Sequence, residues 1–133
     1  MGRVIRVVAG AAIEFISWFA VTIIVGGGAG MAWPAFGAAN RAFNATQTML
    51  FDDQMLMMRL AISAAASLVA AWIAGLTVRD NRIAPLVGGL VLLAFFVPVH
   101  LSIWDKFPLW YHVTFLTSLP VLAYIGGRFA PTA

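Results

Sequence analysis

Glu14 is the residue whose type and position most call for chemistry. It lies inside the first long apolar stretch, several residues past Arg6. An ionised carboxylate at that depth is costly, and such residues default to functional hypotheses. Ser17, Trp18 and Thr22 fall on much the same helical face, which is polar enough to point into a bundle. Glu14 is therefore a candidate site for proton exchange, with Ser17, Trp18 and Thr22 beside it. The plainer alternative is structural: a protonated acid, a hydrogen bond to Ser67 or Thr77, or a reach toward lipid headgroups.

His100 and His112 are the second candidates. They bracket an eleven-residue segment, 101–111, that reads as a hairpin. An antiparallel hairpin sets both imidazoles at similar depth, where they could hold a metal or haem iron or hydrogen-bond a quinone. Asp105 is placed to orient one ring. The spacing matches no metal motif, so the sequence assigns no metal and no cofactor. Met49, Met55, Met57 and Met58 form a third group. Thioethers favour Cu(I), but no repeated Met-x-x-Met pattern is present, and Met is also ordinary apolar filler.

Other chemistries drop out. The chain has no cysteine, which removes disulfides, thiolate metal sites and thiol catalysis. It has no Gly-x-Ser-x-Gly, no His-Glu-x-x-His and no phosphate loop. Gly26-Gly27-Gly28 ends an apolar run and precedes Trp33-Pro34, a context that does not suit nucleotide binding. Asn44-Ala45-Thr46 fits a glycosylation sequon, a pattern common by chance. These exclusions predict a protein that is not an enzyme.

The elements that must position these residues are set by composition. Of 133 residues, 62% are hydrophobic and 10% charged, against about 25% charged in a soluble domain. Four apolar stretches, about 7–27, 55–77, 83–103 and 109–127, are each near the roughly 20 residues a spanning helix needs. The expected fold is all-α: one integral membrane domain over 1–133, a bundle of four transmembrane helices with a longer first extracytoplasmic loop. A cleaved signal is the rival reading of the first stretch. Glu14 interrupts its apolar core, and that core exceeds the usual signal length, so a retained span is expected.

Within this frame, the interval 32–54 is polar, with an interfacial helix expected near 46–58. Span 2 carries small residues three and four apart, among them Ser63, Ser67, Ala70, Ala71 and Ala74. Such a stripe lets another helix approach closely in lipid. Gly88 and Gly89 offer a matching surface on span 3, so spans 2 and 3 are expected to pack together. Pro98 and Pro120 are expected to kink spans 3 and 4. Short links at 78–82 and 104–110 predict antiparallel neighbours.

The net charge of +3 comes from scattered Lys and Arg. It fits headgroup anchoring, not nucleic acid, since no basic run follows a phosphate backbone. Arg3, Arg6, Arg79, Arg82 and Arg128 lie at one set of helix ends. Arg41, Arg59 and Lys106 lie at the other. This bias predicts a cell membrane protein, of the bacterial inner membrane, with both termini cytoplasmic. Trp33, Trp104, Trp110 and Tyr111 would form an aromatic belt at the far face.

A lone Glu in the first of four short spans resembles the small multidrug-resistance antiporters, through Ala9-Gly10-Ala11-Ala12-Ile13-Glu14 and the span count. The resemblance implies a dimer in which Glu14 binds protons and cationic drugs alternately. The 32–54 interval departs from that compact pattern. No counterpart of the family's third-span aromatic-glycine motif stands in 83–103.

The leading expectation is a non-catalytic accessory or assembly subunit acting through helix–helix contacts. Its partners would be the lipid bilayer, further copies of itself or other membrane subunits, with no nucleic acid. The alternative is a small proton-coupled transporter using Glu14. A third reading is a metal- or quinone-binding subunit using His100 and His112.

Overall fold

A computed structural model describes residues 2–132, and the described chain is all-helical. Helix α1 spans Arg3–Ala32, α2 Pro34–Thr46, α3 Asp53–Val78, α4 Ile83–Ser102 and α5 Leu109–Arg128, with one 3-10 turn at Trp104–Lys106. Four of them (α1, α3, α4 and α5) are long and apolar enough to cross a membrane. The fold is a four-helix membrane bundle with one shorter helix beside it.

Helix α1 has 30 residues. At 1.5 Å per residue it is about 45 Å long, well beyond the ~30 Å hydrocarbon core. It ends at Trp33, and Pro34 opens α2, where a missing N–H costs nothing. Helix α2 folds back on α1 where Gly30 and Gly37 meet. A Cβ on Gly37 would lie 2.8 Å from the Gly30 carbonyl oxygen, closer than side chains allow.

The helix in the polar interval therefore sits at 34–46, not near 46–58. Gln47 closes α2 in the left-handed conformation, and the next helix starts only at Asp53. The reason is local. Asp52 accepts a hydrogen bond from the Met55 N–H at 2.8 Å and caps α3 there, which fixes the start of the helix.

The order of helices around the bundle also differs from expectation. Helix α3 packs mainly on α1 and α5, and α4 packs on α5 and α1, so α3 and α4 lie across the bundle from each other. The small stripe of α3 (Ser63, Ser67, Ala70, Ala71, Ala74) is buried, and the helix that carries it packs mainly on α1 and α5 and less on α4. Gly88 faces Glu14 of α1, and Gly89 faces Leu119, Pro120 and Ala123 of α5. A short link lets two helices meet at one end while two others fill the space between their far ends.

That link is tied down by Asp80. Its carboxylate accepts from the backbone N–H groups of Arg82 and Ile83, each at 3.0 Å, and of Ala84 at 3.2 Å. Partial burial works to raise the Asp80 pKa, but these N–H donors and the charge of Arg3 outweigh it and hold the carboxyl below its usual range. Arg79, just before, adopts φ 55° to end α3. Helices α4 and α5 both run on through Pro98 and Pro120. Trp104 and Trp110 are partly exposed near the hairpin, but Tyr111 is buried in the core and is not part of a belt.

Candidate functional site

The residues singled out above divide between two places. Glu14 stands in the tighter one. It is fully buried, and neither carboxylate oxygen has a hydrogen-bond partner. Glycine at 88 makes room for it, since a Cβ there would overlap the carboxyl group. One turn earlier, Gly10 packs against Ala84 and Val78. The two partners expected for Glu14 are engaged elsewhere. The Ser67 hydroxyl accepts from the Trp18 indole N–H at 3.1 Å, and the Thr77 hydroxyl donates to the Ile73 carbonyl at 2.7 Å. An ionised Glu14 would be a buried charge with nothing to compensate it.

Trp18 and Thr22 lead from there into the second place. Both line a cavity of about 720 Å³ between the later half of α1, helix α2, the early half of α3 and the start of α5. Neither Glu14 nor Ser17 borders that cavity. Trp18, packed against Phe96 and Phe115, lines the cavity one helical turn beyond Glu14.

The cavity wall is mainly apolar and aromatic, with a polar cluster built around Arg59. The Arg59 Nε–H donates to the Tyr111 hydroxyl at 3.0 Å, and its Nη1 donates to Asn40 Oδ1 at 2.6 Å. Its guanidinium stands 4.9 Å from the Phe51 ring centroid, a cation–π contact. Among the described residues Arg59 forms no ion pair with a carboxylate. Ser63, one turn on, is buried with its hydroxyl unpartnered, and it borders the cavity. Arg41 and Asn44 complete the polar part of the lining. The size suits a small amphiphile, since ligand pockets run from about 300 to 1,000 Å³.

This cluster escaped the sequence because its members are 19 and 52 positions apart. The signal that could have found it is Arg59 itself, a lone cation inside an apolar span. Asn40 and Tyr111 carried no signal until α2 folded back and α5 turned its first residues inward.

His100 and His112 do come together. Their Nδ1 atoms are 2.7 Å apart, and His112 Nε2 lies 3.0 Å from the Trp104 carbonyl. A carbonyl only accepts, so His112 carries its proton on Nε2 and its Nδ1 accepts from the Nδ1–H of His100. Trp104, not Asp105, orients the ring; its indole also stacks on His112 at 4.3 Å between centroids, while Asp105 is exposed. The two Nδ1 atoms are bound to each other, too close to admit an ion between them. Among the described residues no group of three or more His, Cys, Asp or Glu could hold a metal. The four methionines do not form one group: Met55 and Met58 belong with Phe36, Ala39 and Ile62, Met49 packs on the larger core cluster, and Met57 is exposed.

No family model matches the chain, and no curated protein or solved structure matches it.

Proposed function

We propose that this protein is a small, non-catalytic multi-pass protein of a cell membrane that binds an amphiphilic molecule in the cavity bordered by Trp18, Arg59 and Tyr111. The observation that carries the reading is the cavity itself: about 720 Å³, walled mainly by aromatic and aliphatic side chains, with Arg59, Asn40 and Tyr111 hydrogen-bonded to one another in its lining. A pocket of that polarity pattern matches a molecule with an apolar body and a polar head. Its lining holds no carboxylate and no histidine, which supports holding a ligand over breaking a bond in it. The basic bias of Arg3, Arg6, Arg79, Arg82 and Arg128 supports both termini on the cytoplasmic side.

This reading displaces the assembly subunit as the first choice. The small-residue stripe that favoured helix–helix contacts with a partner is already covered by this chain's own helices. The outer face of α1, with Val4, Ile5, Val8, Ile16, Ile23 and Ile24 exposed, suits lipid as well as it suits a partner.

The experiment is to identify what the protein carries when purified in mild detergent. Gly26 borders the cavity, and a Cβ there meets nothing within 4 Å. Mass spectrometry should find a bound amphiphile on the native chain and lose it in Gly26→Leu. A native chain that neither carries nor takes up any amphiphile ends this reading.

One observation favours a second reading, a proton-linked carrier: Glu14 has two unpartnered oxygens and lies one helical turn from Trp18, which lines the cavity. Under it, adding ligand in weak buffer releases or takes up protons in the native chain and not in Glu14→Gln. An identical proton signal in both removes Glu14 from the process.

A further inference from the structure

We infer that the cavity selects lipids with an anionic headgroup, which it binds at Arg59 with Asn40, Arg41 and Ser63. The inference rests on the amphiphile-binding reading above and names the ligand class.

Charge is the first argument. The charged residues that line the cavity are Arg41 and Arg59, both cationic. Arginine presents five N–H donors. Tyr111 and Asn40 each take one from Arg59, which leaves three without a protein acceptor among the described residues. Those two contacts and the Phe51 ring fix the guanidinium plane. A held fork with free donors is what a phosphate or carboxylate recognises in two places at once.

The unpartnered Ser63 hydroxyl is the second argument, and it is independent of charge. Ser63 is 3% exposed and borders the same space one turn from Arg59. A buried hydroxyl without a partner is uncommon and calls for an acceptor or donor to come from outside the chain. A headgroup at Arg59 would supply it once the Ser63 side chain turns toward the cavity, since its oxygen is otherwise shielded.

Apolar walls decide between a lipid and a free anion. Phe19, Phe96 and Phe115 line the cavity together with Ile23 and Met31. Those last two are 72% and 85% exposed, on a helix apolar enough to face acyl chains. A soluble anion would gain nothing from that surface, whereas an acyl chain loses no contact with hydrocarbon on entering it. Arg59 lies six residues into α3, about 9 Å from the helix start, a depth at which a long side chain meets headgroups.

The test compares three probes on the purified full chain: oleoyl lysophosphatidate, monoolein with the same acyl chain, and inorganic phosphate. Lysophosphatidate should bind about tenfold tighter than monoolein, the factor expected of one charge-assisted contact. In Arg59→Gln that preference should vanish while monoolein binding stays. Asn40→Asp is the second variant, near in shape and expected to fold even where Arg59→Gln does not. Its carboxylate would pair with Arg59 and cancel the preference as well. Inorganic phosphate at the same concentration should displace neither lipid. Equal affinity for the two lipids in the native chain overturns the inference and leaves the cavity reading standing, as does a preference that survives both substitutions. Phosphate competing as well as lysophosphatidate would make this a free-anion site and overturn the lipid assignment. Failure of both lipids to bind would overturn the inference and the reading beneath it together.

Discussion

The two ends of this bundle solve opposite problems with similar helices. Around Glu14, Gly10 and Gly88 the helices touch through glycine and alanine, and a side chain one carbon larger would collide. Around Arg59 and Trp18 a cavity remains, and α2 contributes to its wall. In lipid, close packing supplies the association energy that water would supply by expelling apolar surface. The tight end can therefore hold the bundle together and leave the wide end free to enclose something. The polar groups follow the same division. The tight end isolates one acid with no partner, and the wide end fixes one base among ring faces, an amide and a hydroxyl.

The largest effect should come from attacking the tight end. Gly88→Leu would force α1 away from α4 and should cost about 3 kcal/mol or more, within the upper range for overpacking. Thermal denaturation in detergent measures it, and adding Glu14→Ala should recover part of the loss. If Gly88→Leu is as stable as the native chain, the contrast between the ends collapses.

Asp80→Ala probes the link that closes the tight end and should cost about 1 kcal/mol through lost capping of α4. It also changes the acid limb. The folded-state pKa of Asp80 lies below its unfolded value. Its contribution is therefore full above the unfolded value, near 3.9, and is lost as pH falls through the folded one. Acid melting of the native chain should steepen below about pH 4, and Asp80→Ala should lose that part. A variant with unchanged stability and an unchanged acid limb would remove Asp80 from the closure of the bundle.

At the wall between the ends, Trp18→Phe removes the donor to Ser67 and should cost about 1 kcal/mol, the worth of one hydrogen bond. The same loss in Ser67→Ala, with no further loss in the double variant, would show that the two residues act as a pair. Full additivity would mean that the indole is held by its ring contacts alone.

The smallest stability effect, of opposite sign, belongs to the wide end. Gly26→Leu should stabilise the helix by about 0.5–1 kcal/mol, the helical penalty of glycine. One end thus rejects an added side chain and the other accepts it. A Gly26→Leu variant that melts well below the native chain would show that the wide end has no room to spare.

Much of the helical architecture was legible because lipid imposes one rule on every span. The backbone must satisfy its own hydrogen bonds, so an apolar run of sufficient length becomes a helix. Residues 55–77, 83–103 and 109–127 match the helices α3, α4 and α5 closely, and 7–27 lies inside the longer α1. Gly26-Gly27-Gly28 looked like an ending. In the structure α1 continues through it to Ala32, because glycine weakens a helix without terminating it. The helix at 34–46 was read too late in the chain, since the polar interval lacks the apolar periodicity that marks a span.

Sequence alone settled that these helices are apolar enough for a bilayer, that Glu14 lies inside the first of them, and that His100 and His112 flank a hairpin. Those are properties of consecutive residues, and hydropathy and turn chemistry act locally. Tertiary structure decided which helices are neighbours, that Gly88 and not a hydroxyl meets Glu14, and that Asn40, Arg59 and Tyr111 converge on one cavity. Those outcomes depend on how five helices share one volume, and small-residue surfaces that look interchangeable along the chain are told apart only when every side chain must fit at once.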